Sequence, residues 1–250
     1  MTPGGSAEVY EIARDVPGVP DGLEPPCGDA GQVIALLADK ASRSHGWCGH
    51  FALALASRWS GPQRQVVIAD GDLKRGSLHG IADVPNDEGI GDLLRYGASS
   101  KRVIRQISPA GPHLIPAGTV VCDPEESLRD PRWSFLLDEL RGDGTTLLLY
   151  LPADSAGATA LAAEADGIIH MVSGAPPNDP APGGIWVHAV DPELHPRHGS
   201  TAFPVGKDDH DGRTVPAPIP RSRPKRGRHL VIAMIVLVLL AAAGVLAWPG

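Results

Sequence analysis

From residue 32 onward, short continuous apolar runs alternate with segments whose apolar residues recur at helical spacing. Gln32–Ala38, Gln65–Ala69, His113–Ile115, Thr145–Leu151 and Gly167–Val172 are the runs. Phe51–Trp59, Trp133–Arg141 and Ala156–Ala165 are the helical segments between them. A strand that is apolar at nearly every position is buried on both faces, and intervening helices supply the cover. The pattern predicts an α/β fold, a mostly parallel sheet with helices on both faces. Gly184–Pro192 reads as an additional strand at the edge of that sheet.

The flanks differ in kind. Residues 1–30 are rich in Gly, Pro and acids and read as a loosely ordered tail. Residues 31–192 form the α/β domain, and 193–229 a Pro/Gly-rich linker ending in a basic cluster. The roughly 145 residues between the tail and the Pro-rich stretch suffice for one ordinary core.

Residues 230–248 change the picture most. Leu230 to Trp248 is uncharged and built almost wholly from Leu, Val, Ile, Ala and Met. At about 1.5 Å per residue, a helix of this length approaches the roughly 30 Å hydrocarbon core of a bilayer. Arg221, Arg223, Lys225, Arg226 and Arg228 precede it, and basic residues beside a span stay on the cytoplasmic side. The expectation is a single-pass, tail-anchored protein of the inner membrane with its N-terminal domain in the cytoplasm. The cluster also suits anionic head groups. Ala241, Ala242, Ala243 and Gly244 offer a small-residue face for close helix packing, or a plain lipid-facing surface.

Charge narrows the partners. The chain carries a net charge of −7, and setting aside those five basic residues leaves −12 elsewhere. A surface so acidic is poorly suited to nucleic acid, and none is expected as partner. Three cysteines, Cys27, Cys48 and Cys122, do not make a disulfide framework in a cytoplasmic chain.

Four segments in order resemble the ParA/MinD group of P-loop ATPases, and within it the cytoplasmic domain of bacterial tyrosine kinases of polysaccharide export. They are Val67 to His79 with its Asp70-Gly71-Asp72 core, Gly89 to Leu94, Leu114 to Gly118, and Ala165 to Ile169. The resemblance covers about residues 31–172 and implies a P-loop NTPase-like fold. It also implies a nucleotide site, whose key positions depart from the family. The glycine-turn stretch reads Ser44-His45-Gly46-Trp47-Cys48-Gly49-His50-Phe51. It places His50 at the P-loop lysine, Phe51 at the magnesium-binding hydroxyl and Trp47 where a small residue should clear the phosphates. Tyr150 or Leu151 stands where the family has an aspartate after the strand, and Asp154 lies farther along. Asp70 and Asp72 remain, but carboxylates without lysine and Mg²⁺ do not support phosphoryl transfer. The family's phosphorylated tyrosine-rich tail has no counterpart among Tyr10, Tyr96 and Tyr150. The family also places a helix where Ser173 to Gly184 is rich in Pro, Gly and Asn, and its kinase domain follows its spans.

His45, Cys48 and His50 lie close together and are of metal-ligating type. Structural zinc wants four ligands and no second pair is present, so filling of the altered loop is the favoured reading. No cofactor is expected. The reading is a pseudoenzyme acting as a noncatalytic scaffold subunit that helps assemble or stabilise an integral membrane protein complex, with polysaccharide-export machinery among the candidates. Its rival is a membrane-bound ATPase or tyrosine kinase, or its regulator, in exopolysaccharide biosynthesis.

Overall fold

The computed structural model describes residues 7–15, 17–25, 31–178 and 184–191. The linker, the basic cluster, the apolar run Leu230 to Trp248 and its Ala241–Gly244 face lie outside these residues. Among the described residues no helix is long and apolar enough to cross a membrane.

The strands are β1 (Glu8–Ala13), β2 (Val33–Ala38), β3 (Val66–Asp70), β4 (Arg105–Gln106), β5 (His113–Ile115), β6 (Thr146–Pro152), β7 (Gly167–Val172) and β8 (Ile185–Val190). They make one sheet in the order β1-β8-β7-β2-β6-β3-β5-β4. Every pairing is parallel except the short β4–β5 ladder. The expected α/β layering with a mostly parallel sheet is what forms.

The continuous apolar runs follow from double burial. In β2, Val33, Ala35 and Leu37 enter one core while Ile34, Leu36 and Ala38 enter the other. In β6, Leu147, Leu149 and Leu151 face the first core, and Leu148 and Tyr150 the second. The first core is closed by α4 (Ile90–Tyr96), α7 (Arg132–Gly142) and α8 (Ala156–Ala162). The second is closed mainly by α2 (Trp47–Trp59), whose Trp47, Phe51, Leu55 and Trp59 recur every fourth residue and are all buried. Burying each such side chain contributes about 1.5–3 kcal/mol. Shorter helices complete the connections: α1 (Lys40–His45), α3 (Leu78–Ala82), α5 (Ser100–Val103) and α6 (Pro124–Leu128).

Three details differ from the sequence expectation. Residues 1–30 are not simply a loose tail, because β1 pairs in parallel with β8 along its whole length. Glu-Val-Tyr-Glu-Ile-Ala looks too polar for a core strand, but an outermost strand needs only one buried row, here Tyr10 and Ile12. Leu23 is buried too, and its carbonyl accepts the Trp59 indole N–H at 3.0 Å. The Gly184–Pro192 strand is consequently not the edge, since β8 lies between β7 and β1. The stretch expected as a glycine turn is largely helical. Asp39 caps α1 by accepting the Ser42 N–H at 2.6 Å, and Gly46, at φ 81°, separates α1 from α2.

Candidate functional site

Open parallel sheets collect functional groups beyond the carboxyl ends of their strands. Here the ends of β2, β3 and β6 border a cleft of about 210 Å³ lined by Arg43, Asp72, Lys74, Glu125, Asp154 and Ser155, among others. Its centre is a guanidinium. Arg43, on α1, donates from Nη1 to Asp72 Oδ2 at 2.8 Å, from Nη2 to Asp154, and from Nε to the Ala38 carbonyl at 3.3 Å. The Arg43 side chain is 7% exposed, that of Asp72 2%, and that of Asp154 49%. Burial works against the charge on Arg43, yet its hydrogen bond to Asp72 and the charges of Asp72 and Asp154 outweigh that and raise its pKa.

Asp70, at the end of β3, is fully buried and does not line the cleft. It accepts backbone N–H groups from Asp72 at 3.2 Å and Leu78 at 2.9 Å. Burial pushes its carboxyl up to about 7 despite the Leu78 bond, and the neighbouring Asp72 charge adds to the rise. Gly71 is held where no side chain fits. A Cβ there would lie 2.6 Å from Leu151 and 2.9 Å from the Tyr150 carbonyl. The Asp-Gly-Asp order therefore answers to the close passage of β6.

The residues of the altered loop are dispersed. Cys48 is buried, with its Sγ 3.0 Å from the Tyr150 hydroxyl, and burial pushes the thiol up to about 11. Burial also raises the Tyr150 phenol above its ordinary value, with further rises from Cys48, Asp70 and Asp72. Trp47 packs edge-on against Phe51 in the second core. His50 is exposed at the end of the first turn of α2, and neither it nor Phe51 lines the cleft. His45 lies 3.3 Å from the Ser173 hydroxyl, and Ser44 donates back to the Lys40 carbonyl. His45, Cys48 and His50 thus do not converge, and among the described residues no group of three metal-ligating side chains does.

Sequence reasoning missed Arg43 and gave Asp154 only a remote place. Nothing in the local pattern marks either, because their partners are 29 and 111 positions away. Two of the four family-like segments prove to be structural. Asp92, in Gly89 to Leu94, accepts the Gly89 N–H, the Thr119 N–H and the Thr119 hydroxyl, and these bonds hold its carboxyl below its usual range against burial. Asp166 receives the Val33 N–H at 2.8 Å and Arg141 Nε at 3.3 Å, which pins the start of β2.

No family model matches the chain. Over 111 residues, 44% of this chain, it is 29% identical to the putative tyrosine-protein kinase EpsB of Ralstonia solanacearum, and the match spans only 15% of that protein. Its fold is similar to that of the kinase domain of Escherichia coli tyrosine kinase ETK, with a TM-score of 0.54 and 17% identity. That likeness covers 71% of this chain and 72% of the other. The VpsO kinase domain is similar at a TM-score of 0.52 and 18% identity, covering 64% of this chain and 84% of that one. At such identities the likeness concerns the fold. The chain has the mostly parallel α/β architecture of bacterial tyrosine-kinase domains, as the resemblance over residues 31–172 implied.

Proposed function

We propose that this protein is a noncatalytic subunit, tail-anchored in the inner membrane, whose α/β domain docks onto a larger membrane complex. The observation that carries this reading is Arg43 seated between Asp72 and Asp154. A phosphoryl-transfer site of this fold class needs carboxylates free for hydrated Mg²⁺ and a Gly-rich loop of backbone N–H groups around phosphates. Here Arg43 occupies the carboxylates, and Gly46 alone breaks the helical run from Lys40 to Trp59. Buried Trp47 and Cys48 fill the first turn of α2. These residues do not suit a magnesium nucleotide, and binding is the use left to a well-packed domain. The apolar run and its basic flank supply the tether, and Ala241 to Gly244 a face for a neighbouring helix.

The likeness to the ETK kinase domain and to EpsB favours a second reading, a membrane-bound kinase or ATPase, or its regulator, in exopolysaccharide biosynthesis. Calorimetric titration of the full chain, in mild detergent, with Mg-ATP separates the two. No heat of binding is expected. A micromolar dissociation constant that Asp72→Asn abolishes would overturn the noncatalytic reading.

A further inference from the structure

We propose that Arg43 is a built-in counter-ion standing where a divalent cation would otherwise sit, stapling the ends of β2, β3 and β6 together. The inference rests on the noncatalytic reading of the cleft and adds how its acids are kept in place.

Each of the three guanidinium nitrogens has a partner on a different part of the rim: Ala38 at the end of β2, Asp72 just past β3, and Asp154 just past β6. A buried carboxylate such as Asp72 needs a compensating charge, since leaving it unpaired is among the costliest changes a core can suffer. A hydrated divalent cation is the other common way to compensate two carboxylates that face each other across such a cleft. The planar fork of Arg presents two parallel N–H edges and stays charged at any ordinary pH. One side chain thereby does the work of a small hard ion and covalently belongs to the chain. Asp70 is not part of this arrangement: it does not line the cleft and accepts two backbone N–H groups instead. The phosphate-binding alternative is disfavoured by the same contacts, since the guanidinium faces carboxylates that an incoming anion would have to displace.

The test is Mn²⁺ binding by the full chain in mild detergent without nucleotide, read by electron paramagnetic resonance and by thermal unfolding. Wild type is expected to bind no Mn²⁺ in the cleft at millimolar concentration. Arg43→Met is expected to gain one Mn²⁺ site, or, if it unfolds alone, to recover its folded signal when Mn²⁺ is added. Arg43→Met with Asp72→Asn is expected to fold without metal and to lose the site. Wild type binding Mn²⁺ as tightly as Arg43→Met would overturn the proposal. So would an Arg43→Met chain that gains neither binding nor rescue, or a double variant as unfolded as the single one, which would make Arg43 a packing residue. Because nucleotide is absent throughout, these outcomes are independent of the Mg-ATP titration that tests the noncatalytic reading.

Discussion

Asp92 grips Thr119 twice, accepting its backbone N–H at 3.0 Å on Oδ2 and its hydroxyl at 2.6 Å on Oδ1. The same Oδ2 accepts the Gly89 N–H at 2.9 Å, so one carboxylate joins the start of α4 to the loop after β5. The two backbones are pressed together there. A Cβ on Gly89 would lie 2.0 Å from the Pro116 carbonyl, and one on Gly91 2.2 Å from that of Thr119.

Asp92→Ala should therefore lower stability by about 2–3 kcal/mol, the scale of hydrogen bonds to a charged acceptor. Gly89→Ala should be at least as damaging through steric conflict. Gly80, inside α3 with nothing within 4 Å of an added Cβ, makes the contrast, and Gly80→Ala should stabilise by roughly 0.5–1 kcal/mol. Urea denaturation midpoints of the three variants check the order, and a Gly89→Ala midpoint equal to wild type would refute the clasp.

Asp70 and Asp92 should shape pH stability in opposite senses. The Asp70 carboxyl is raised to about 7 in the fold, so the native state holds a proton that the unfolded chain releases from about pH 4. Its contribution is complete below the unfolded value and is lost as pH rises through about 7. Asp92 is depressed in the fold, and its contribution is lost as pH falls below the ordinary carboxylate range. Stability measured from pH 3 to 9 should fall between about pH 4 and pH 7, and Asp70→Asn should flatten that limb. An unchanged slope in the variant would assign the limb to another group.

Thiol chemistry should distinguish the two described cysteines. Cys48 is buried, bonded to Tyr150 and pushed up to about 11, whereas Cys122 is exposed. Since the thiolate is the nucleophile, iodoacetamide at pH 8 should modify Cys122 in the native protein and spare Cys48 until unfolding. Peptide mapping of the alkylated protein reads the outcome directly.

The C-terminal run should hold the protein to membranes. Full-length chain is expected to stay in the membrane fraction through high-salt washing, and a chain lacking residues 221–250 to leave it. Release by salt alone would mean that Arg221 to Arg228, and not the apolar run, provides the attachment.

How much of this was legible depended on which residues carried the signal. β2, β3 and β6 announce themselves because both of their faces are buried, which forces apolar residues at successive positions. β1 escapes notice because Glu8 and Glu11 are on exposed sites and its stability comes from pairing with β8. α1 escapes because Lys-Ala-Ser-Arg-Ser-His has no apolar face, and only Asp39 and Gly46 at its ends define it. That helix leads into α2, which carries His50 and Phe51 outside the residues that line the cleft. Once Lys40 to His45 coil, the following residues move up onto α2 and away from the cleft, and Arg43 takes the position facing the acids.

The pairing of β1 with β8 imposes an order on folding. Arg14 and Asp191, joined by a 3.0 Å bond at the far end of these two strands, are 177 positions apart. β1 emerges from the ribosome first among the described strands and must wait for the last one before it has a partner. Contacts so distant in sequence are slow to close and leave strand edges open meanwhile. Until then β7 would present a bare edge, and this side of the sheet is completed only when the two ends of the domain meet.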